Sequence, residues 1–272
     1  MLQPQGQTDV CRTMKRPDSM SSFQPNILHF GSLPSTNSEA ARRAMEGAAE
    51  GLVIVAGEQT AGRGRLNRKW ISPAGAGLYL SIVLRPPLEN GCWSLLPLMA
   101  AVAVHDALLD ACGLETDIKW PNDILAAGRK VCGILAESIE SAAGRAIVLG
   151  IGINLTGDAF PAELKTTAIS VQEAAGAVPD REALLQSLMG ALGNHYESFQ
   201  ASDGLAMIRS EWTRRSSYAS GTRVNVACVN EAFAGITRGL ESDGALRVET
   251  DAGEIKVVRA GDVTSVRQSD KL

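Results

Sequence analysis

Three near-continuous apolar runs constrain the fold of this chain more than anything else in it: Leu52–Ala56, Leu78–Leu84 and Ala146–Leu155. Runs this short and this apolar read as buried strands. Longer segments between and after them read as helices. Ser35–Glu39 looks like a helix start, with Thr36 and Glu39 in capping-box spacing, and Ala-rich sequence follows to about Glu50. Ser94–Cys112 is long enough for a helix that Gly113 would stop. Further helices are expected from Asp180 to about Gln200 and from Leu205 to Arg214. Asp117–Trp120 reads as a short strand ended by Pro121, and Ile124–Glu137 as a hairpin around Gly128. After Ser220 the texture changes: Val224, Val226 and Cys228 alternate with polar residues, and Asp243-Gly244 signals a hairpin turn. That tail fits a small β-barrel.

The chain has 272 residues, room for one sizeable domain and a small one. Its net charge of −4 and pI near 5.5 weigh against nucleic-acid binding. Five cysteines (Cys11, Cys92, Cys112, Cys132, Cys228) show no metal-ligand spacing and are expected to be reduced thiols in a cytoplasmic protein. The three histidines, His29, His105 and His195, show no ligand spacing either. No stretch approaches the roughly 18–20 apolar residues that span a bilayer, so no membrane association is expected. Residues 1–26 are polar, without a secretory h-region, and are expected to form a disordered arm in which Met14 or Met20 could be the start codon.

The segment Glu58–Trp70 places Arg63, Arg65, Arg68 and Lys69 in a loop broken by Gly62 and Gly64, just after a buried strand. Glycines let backbone wrap a ligand, and guanidinium forks suit carboxylate and phosphate oxygens. A solvated charged loop is the plainer alternative. A Walker A loop is excluded because no Gly-Lys-Ser/Thr follows, and Asn67 spoils the dinucleotide fingerprint. Like-charged arginines in such a loop repel, so the empty loop is expected to be mobile. A second constellation is Lys119-Trp120-Pro121-Asn122-Asp123 with Arg129-Lys130 and Gly133–Glu137. There Lys130 begins the hairpin's return strand, and Asp123 could bind Mg²⁺, orient a lysine, or simply make a turn. Gly150–Leu155 is weak evidence alone.

Taken in order and spacing, Ser35-Thr36-Asn37, Gln59 with Gly62–Arg65, Arg68-Lys69-Trp70, Ser72-Pro73, Gly77–Ser81, Lys119–Asp123, Arg129-Lys130, Gly133–Leu135 and Gly152–Asn154 resemble the biotin–protein ligase family. The resemblance implies an α+β fold: a mixed central sheet with packed helices over 27–218, followed by an SH3-like barrel over 219–272. It implies two half-reactions. Biotin's carboxylate attacks the α-phosphate of Mg·ATP to give biotinyl-5′-adenylate, and a lysine of a carboxylase's biotin carboxyl carrier domain then takes the biotinyl group.

By the same resemblance Lys130, Arg63, Arg65 and Asp123 would be catalytic. Ser35, Thr36, Asn37, Gln59, Gly62, Gly64 and Gly133 would join Arg63, Arg65 and Lys130 around biotin. Trp70, Lys119, Asn122 and Asn154 would contact the nucleotide, with Trp70 as an apolar wall or a core residue. Asn67 and Cys132 depart from the family pattern, in which smaller residues are usual. Some members carry an N-terminal winged-helix module, but only about 30 residues precede the motifs here, too few for one. A ligase without repressor function is expected, with homodimerisation left open. A lipoate–protein ligase and a non-catalytic biotin sensor are the rival readings.

Overall fold

The computed structural model describes residues 23–87, 90–141, 144–157 and 160–265. Seven strands form the main sheet: β1 (Asn26–Leu33), β2 (Leu52–Gln59), β3 (Gly77–Leu84), β4 (Asp117–Lys119), β5 (Asp123–Ala126), β6 (Arg129–Ile139) and β7 (Ala146–Asn154). Their order is β1-β2-β3-β7-β6-β5-β4. Only β1 and β2 run parallel, joined by a crossover that holds helix α1 (Thr36–Met45); the other neighbours are antiparallel. Every residue of β3 and β7 is buried. The reason is that both faces are covered: α1 packs on one, and α2 (Leu96–Cys112) with α4 (Arg181–Phe199) on the other. Strands covered on both faces read as unbroken apolar runs, which is why they were legible. The short α3 (Val171–Ala175) precedes α4, and α5 (Gly204–Arg214) follows it.

Several local expectations shift. The α1 cap is Ser35, whose hydroxyl accepts from the Ser38 amide, so Thr36 is already inside the helix. The helix stops at Met45 rather than near Glu50, with Gly47 at φ 90° just beyond it. Residues 1–22 of the expected arm, with Cys11 and both internal methionines, lie outside the described residues. Phe23 is already docked, its ring 6.0 Å from Tyr196 and edge-on, and β1 begins at Asn26. Cys112, Cys132 and Cys228 are free thiols, whereas Cys92 is disulfide-bonded, contrary to the expectation of reduced cysteines. The Cys92–Cys112 helical segment is long and apolar enough to cross a membrane, contrary to the expectation that no stretch approaches that length. It is instead largely buried against the sheet, α4 and α5, as a core helix. Gly113 caps it in the left-handed conformation, as expected.

The tail forms a second, antiparallel sheet of β8 (Ser220–Ala227), β9 (Ala232–Leu240), β10 (Leu246–Thr250), β11 (Ile255–Val258) and β12 (Asp262–Ser265), ordered β11-β10-β9-β8-β12. Its inward residues Val224, Val226, Leu246 and Val248 join the core of the first unit. The β9–β10 turn is pinned there too: Trp120 Nε1 donates to the Gly244 carbonyl at 3.0 Å and Ser94 Oγ to the Asp243 carbonyl at 2.5 Å. This docking sets β12 against the mouth of a cavity in the first unit.

Candidate active site

The cavity, about 490 Å³, opens between the Gly62–Trp70 loop, the glycine-bearing strands β6 and β7, and the start of β12. Its size suits a small-molecule ligand. Glycine is required by contact, not by turn geometry. A Cβ on Gly150 would stand 2.0 Å from Asn37 Oδ1, and one on Gly152 2.4 Å from Trp70 Nε1. Gly133 is pressed by both Trp70 and Lys130. Side chains from α1 and the loop thus lie directly on the sheet.

The inner end is a buried polar network at the start of α1. Ser35, Thr36 and Asn37 are each 5 % exposed or less. The Thr36 amide and hydroxyl both donate to Gln59 Oε1, at 2.9 and 3.1 Å, and Gln59 Nε2 donates to Ser72 Oγ at 2.8 Å. Ser81, fully buried on β3, has its hydroxyl oxygen 2.7 Å from Thr36 Oγ1 and 2.6 Å from Asn37 Oδ1, sharing one proton between them. Such a network survives burial only because its members satisfy one another.

Cations line the outer end. Lys130 Nζ forms an ion pair with Asp123 Oδ1 at 2.6 Å and lies 5.3 Å from the Trp70 ring centroid. Lys119 Nζ approaches the other Asp123 oxygen at 3.7 Å. The Trp70 indole N–H is buried without a hydrogen-bond partner among the described residues. Arg63 pairs with Glu137 at 2.7 Å. Arg65 donates to Asn122 Oδ1 and to the Gly261 carbonyl, both at 3.2 Å, and stands 3.7 Å from Asp262. Arg68 pairs with the same Asp262. Burial holds the Arg65 guanidinium below the ordinary arginine value, against the pull of Asp262 and Asp123.

The charged loop, expected to be mobile when empty, has partners in the structure that its sequence does not announce. Three arginines that should repel one another are met by two carboxylates from different walls, Glu137 on Arg63 and Asp262 on both Arg65 and Arg68, and a backbone bond from the Trp70 amide to the Gly62 carbonyl closes the loop's base. Leu66 and Asn67 both take positive φ, 54° and 58°, at its tip. Asn tolerates that conformation well, while Leu at 60 % exposure does so only with strain.

Two family models match the chain: the Biotin/lipoate A/B protein ligase family over residues 30–154 and the Biotin protein ligase C terminal domain over 219–264. The Biotin--[acetyl-CoA-carboxylase] ligase of Paracoccus denitrificans is 38 % identical over 84 % of this chain and 96 % of its own length. The chain belongs to the biotin protein ligase family. The Bifunctional ligase/repressor BirA of Bacillus subtilis is 36 % identical, covering 93 % of this chain and 81 % of its own. Among solved structures, the Aquifex aeolicus biotin protein ligase in complex with biotin and ATP superposes with a TM-score of 0.77 at 28 % identity, over 89 % of this chain and 99 % of that one. The mixed sheet with packed helices and the five-stranded antiparallel tail agree with that family's architecture.

Within this family member, the fold brings Ser35, Thr36, Asn37, Gln59, Arg63, Gly64, Arg65, Trp70, Lys119, Asn122, Asp123, Lys130, Gly133 and Asn154 to one cavity. Gly62 is the exception. It sits at the loop's base, where a Cβ would meet the Trp70 carbonyl at 2.3 Å, and does not line the cavity. Asn154 spends its amide N–H groups on the Lys130 and Ile169 carbonyls, and Asn122 donates to the Ile134 carbonyl at 2.6 Å, so both brace strands as well. Ser72, Ser81 and Glu137 lie in segments singled out in the sequence but were not named as site residues, and Asp262 was not anticipated at all. Ser81 offered a signal, a lone polar residue inside an apolar strand; Asp262, from another sheet, offered none. Cys132 is fully buried, which pushes its thiol pKa up.

Proposed function

We propose that this chain activates biotin with Mg·ATP and transfers the biotinyl group to a lysine of a biotin carboxyl carrier domain. The observation that carries the reading is one cavity with two chemically different ends: a buried amide-and-hydroxyl network from Ser35 to Gln59, and a cationic mouth of Arg63, Arg65 and Lys130. A fused ureido ring needs donors and acceptors in a dry pocket, which the first end supplies. A carboxylate attacking a phosphate brings two anions together, and preorganised cations where charge accumulates lower that barrier. Lys130, held on a strand by Asp123, is the group assigned to the α-phosphate; Arg63, still paired with Glu137 through Nη2, would turn its other N–H groups to ligand oxygens, and Arg65 would exchange Asp262 for them. Gly64 and Gly133 would let backbone approach biotin. Trp70, Lys119, Asn122 and Asn154 border the volume left for the nucleotide.

Among the described residues no cluster of three or more His, Cys, Asp or Glu side chains assembles to hold a metal, so Mg²⁺ is taken to enter as the counter-ion of the triphosphate. Once formed, the mixed anhydride is attacked by the carrier lysine and AMP leaves.

Incubation with biotin, Mg·ATP and a carrier domain should add one biotin's mass to the carrier. Lipoate transfer in place of biotin would favour the lipoate ligase reading, and failure to release pyrophosphate the sensor. The proposal includes a cytoplasmic site of action, where ATP is available, and no operator recognition, supported by the acidic pI. A footprint on a biotin-gene promoter at physiological salt would overturn the latter. The exposed edge strand β1 leaves room for pairing of two copies, which sedimentation tests.

A further inference from the structure

Glu137 lies on β6 and is not among the residues lining the cavity, yet one of its oxygens ties together two groups that are. Glu137 Oε2 accepts from Asn37 Nδ2 at 2.7 Å and from Arg63 Nη2 at 2.7 Å. Asn37 comes from the first turn of α1 and Arg63 from the charged loop. On the other side of the amide, Asn37 Oδ1 lies 2.6 Å from the buried Ser81 hydroxyl and directly over Gly150. A carboxylate can only accept, so Glu137 fixes which way the Asn37 amide is turned: nitrogen outward to Glu137, oxygen inward. An amide turned this way offers a lone pair to a urea N–H; turned the other way it would repel one. The Glu137–Arg63 contact alone would be a half-exposed ion pair of little energetic consequence. Sharing its oxygen with a 5 % exposed amide makes it a coupling element.

We propose that Glu137 is a positioning residue for biotin, fixing the Asn37 amide at the ureido end and tethering the Arg63 loop at the carboxylate end through one oxygen. This rests on reading the cavity as a biotin site. It does not make Glu137 touch the substrate. Its loss should therefore weaken ground-state recognition rather than the chemical step.

The test uses the full chain with Glu137→Gln, which keeps size but removes the charge and adds a donor that can face Asn37 Oδ1. The KM for biotin should rise about tenfold or more, the scale of a lost charge-assisted hydrogen bond, while kcat and the KM for ATP stay within about threefold. In the ligand-free protein, trypsin should cut at Arg63 faster than in wild type. Ser81→Ala frees the amide from the opposite side and should raise the biotin KM without speeding cleavage at Arg63. A Glu137→Gln protein with unchanged biotin KM overturns the proposal, whether or not its Tm falls. So does unchanged cleavage at Arg63, a result that holds even if wild type transferred no biotin, so failure of the tether and failure of the ligase reading are separable.

Discussion

Lys130 Nζ and Asp123 Oδ1 stand 2.6 Å apart across the β5–β6 hairpin, in a register that sets Asp123 opposite Gly133 and Lys130 opposite Leu125. A bulge between Ile124 and Leu125 produces that offset, and the tight turn at Ala127 and Gly128, φ 49° and 72°, fixes it. The ammonium is thus aimed by two strands, not by a loop.

Lys130→Ala should fold normally, because the side chain is partly exposed and its main contact is one carboxylate. Adenylate formation, followed as pyrophosphate release, should slow by roughly 10²–10³. Pre-made biotinyl-adenylate should restore carrier labelling at least in part. Lys130→Arg should not rescue adenylation, since a planar fork places charge differently from an ammonium. Wild-type adenylation by the alanine variant would reduce Lys130 to a solvated strand end.

Gly150→Ala should damage both stability and biotin binding. The added methyl would overlap Asn37 Oδ1 at 2.0 Å on a strand packed on both sides. Overpacking of this kind costs about 1–3 kcal/mol, which calorimetry would read as a Tm lower by roughly 2–10 °C for a chain of this size. Gly190→Ala in α4 is the contrast, since nothing lies within 4 Å of its Cβ. It should raise stability by about 0.5–1 kcal/mol and leave biotin binding alone. Equal Tm values for the two variants would mean that Gly150 is not under contact.

Asp262→Ala should loosen the charged loop from the side of the second sheet. Arg65 and Arg68 both lean on this carboxylate, so removing it leaves two neighbouring cations facing each other. Limited trypsinolysis at Arg65 and Arg68 should be several-fold faster in the ligand-free variant. Biotin with Mg·ATP, supplying anions in place of the carboxylate, should restore much of the protection. Cleavage at the wild-type rate would show that backbone pairing alone holds the loop.

His105 carries a pH dependence of stability. Its ring is half-buried on α2, with Nδ1 2.9 Å from Thr116 Oγ1, and burial lowers its pKa, with Arg215 adding to the effect and Asp106 opposing it. The unfolded chain therefore binds a proton at a higher pH than the folded one does. Stability from this group is fully present above the unfolded value, near 6.5, and is lost as pH falls through the lowered folded value. Thermal unfolding should give a Tm that drops between about pH 7.5 and pH 5.5. His105→Gln, which keeps a polar partner for Thr116, should flatten that drop; an identical slope in the variant would assign the dependence elsewhere.

What the sequence determined by itself is the local chemistry and the buried strands. Leu78–Leu84 and Ala146–Leu155 announce their burial because a strand covered on both faces can carry almost no polar residue. The Arg-Gly-Arg loop, the Lys119–Asp123 turn and the Lys130 strand end are contiguous motifs, and residues close in sequence stay close in space. Tertiary structure alone decided the rest. Asp262 meets Arg65 and Arg68 across nearly two hundred residues, because the β9–β10 turn docks on Trp120 and Ser94 and so delivers β12 to the cavity mouth. Glu137 meets Asn37 and Arg63 because β6 lies beyond β3 and β7 from the strand that feeds the loop. The charged loop meets carboxylates that no local pattern connects to it. Long-range pairing of this kind depends on register and docking, and those are set by the packing of the whole sheet rather than by any segment of it.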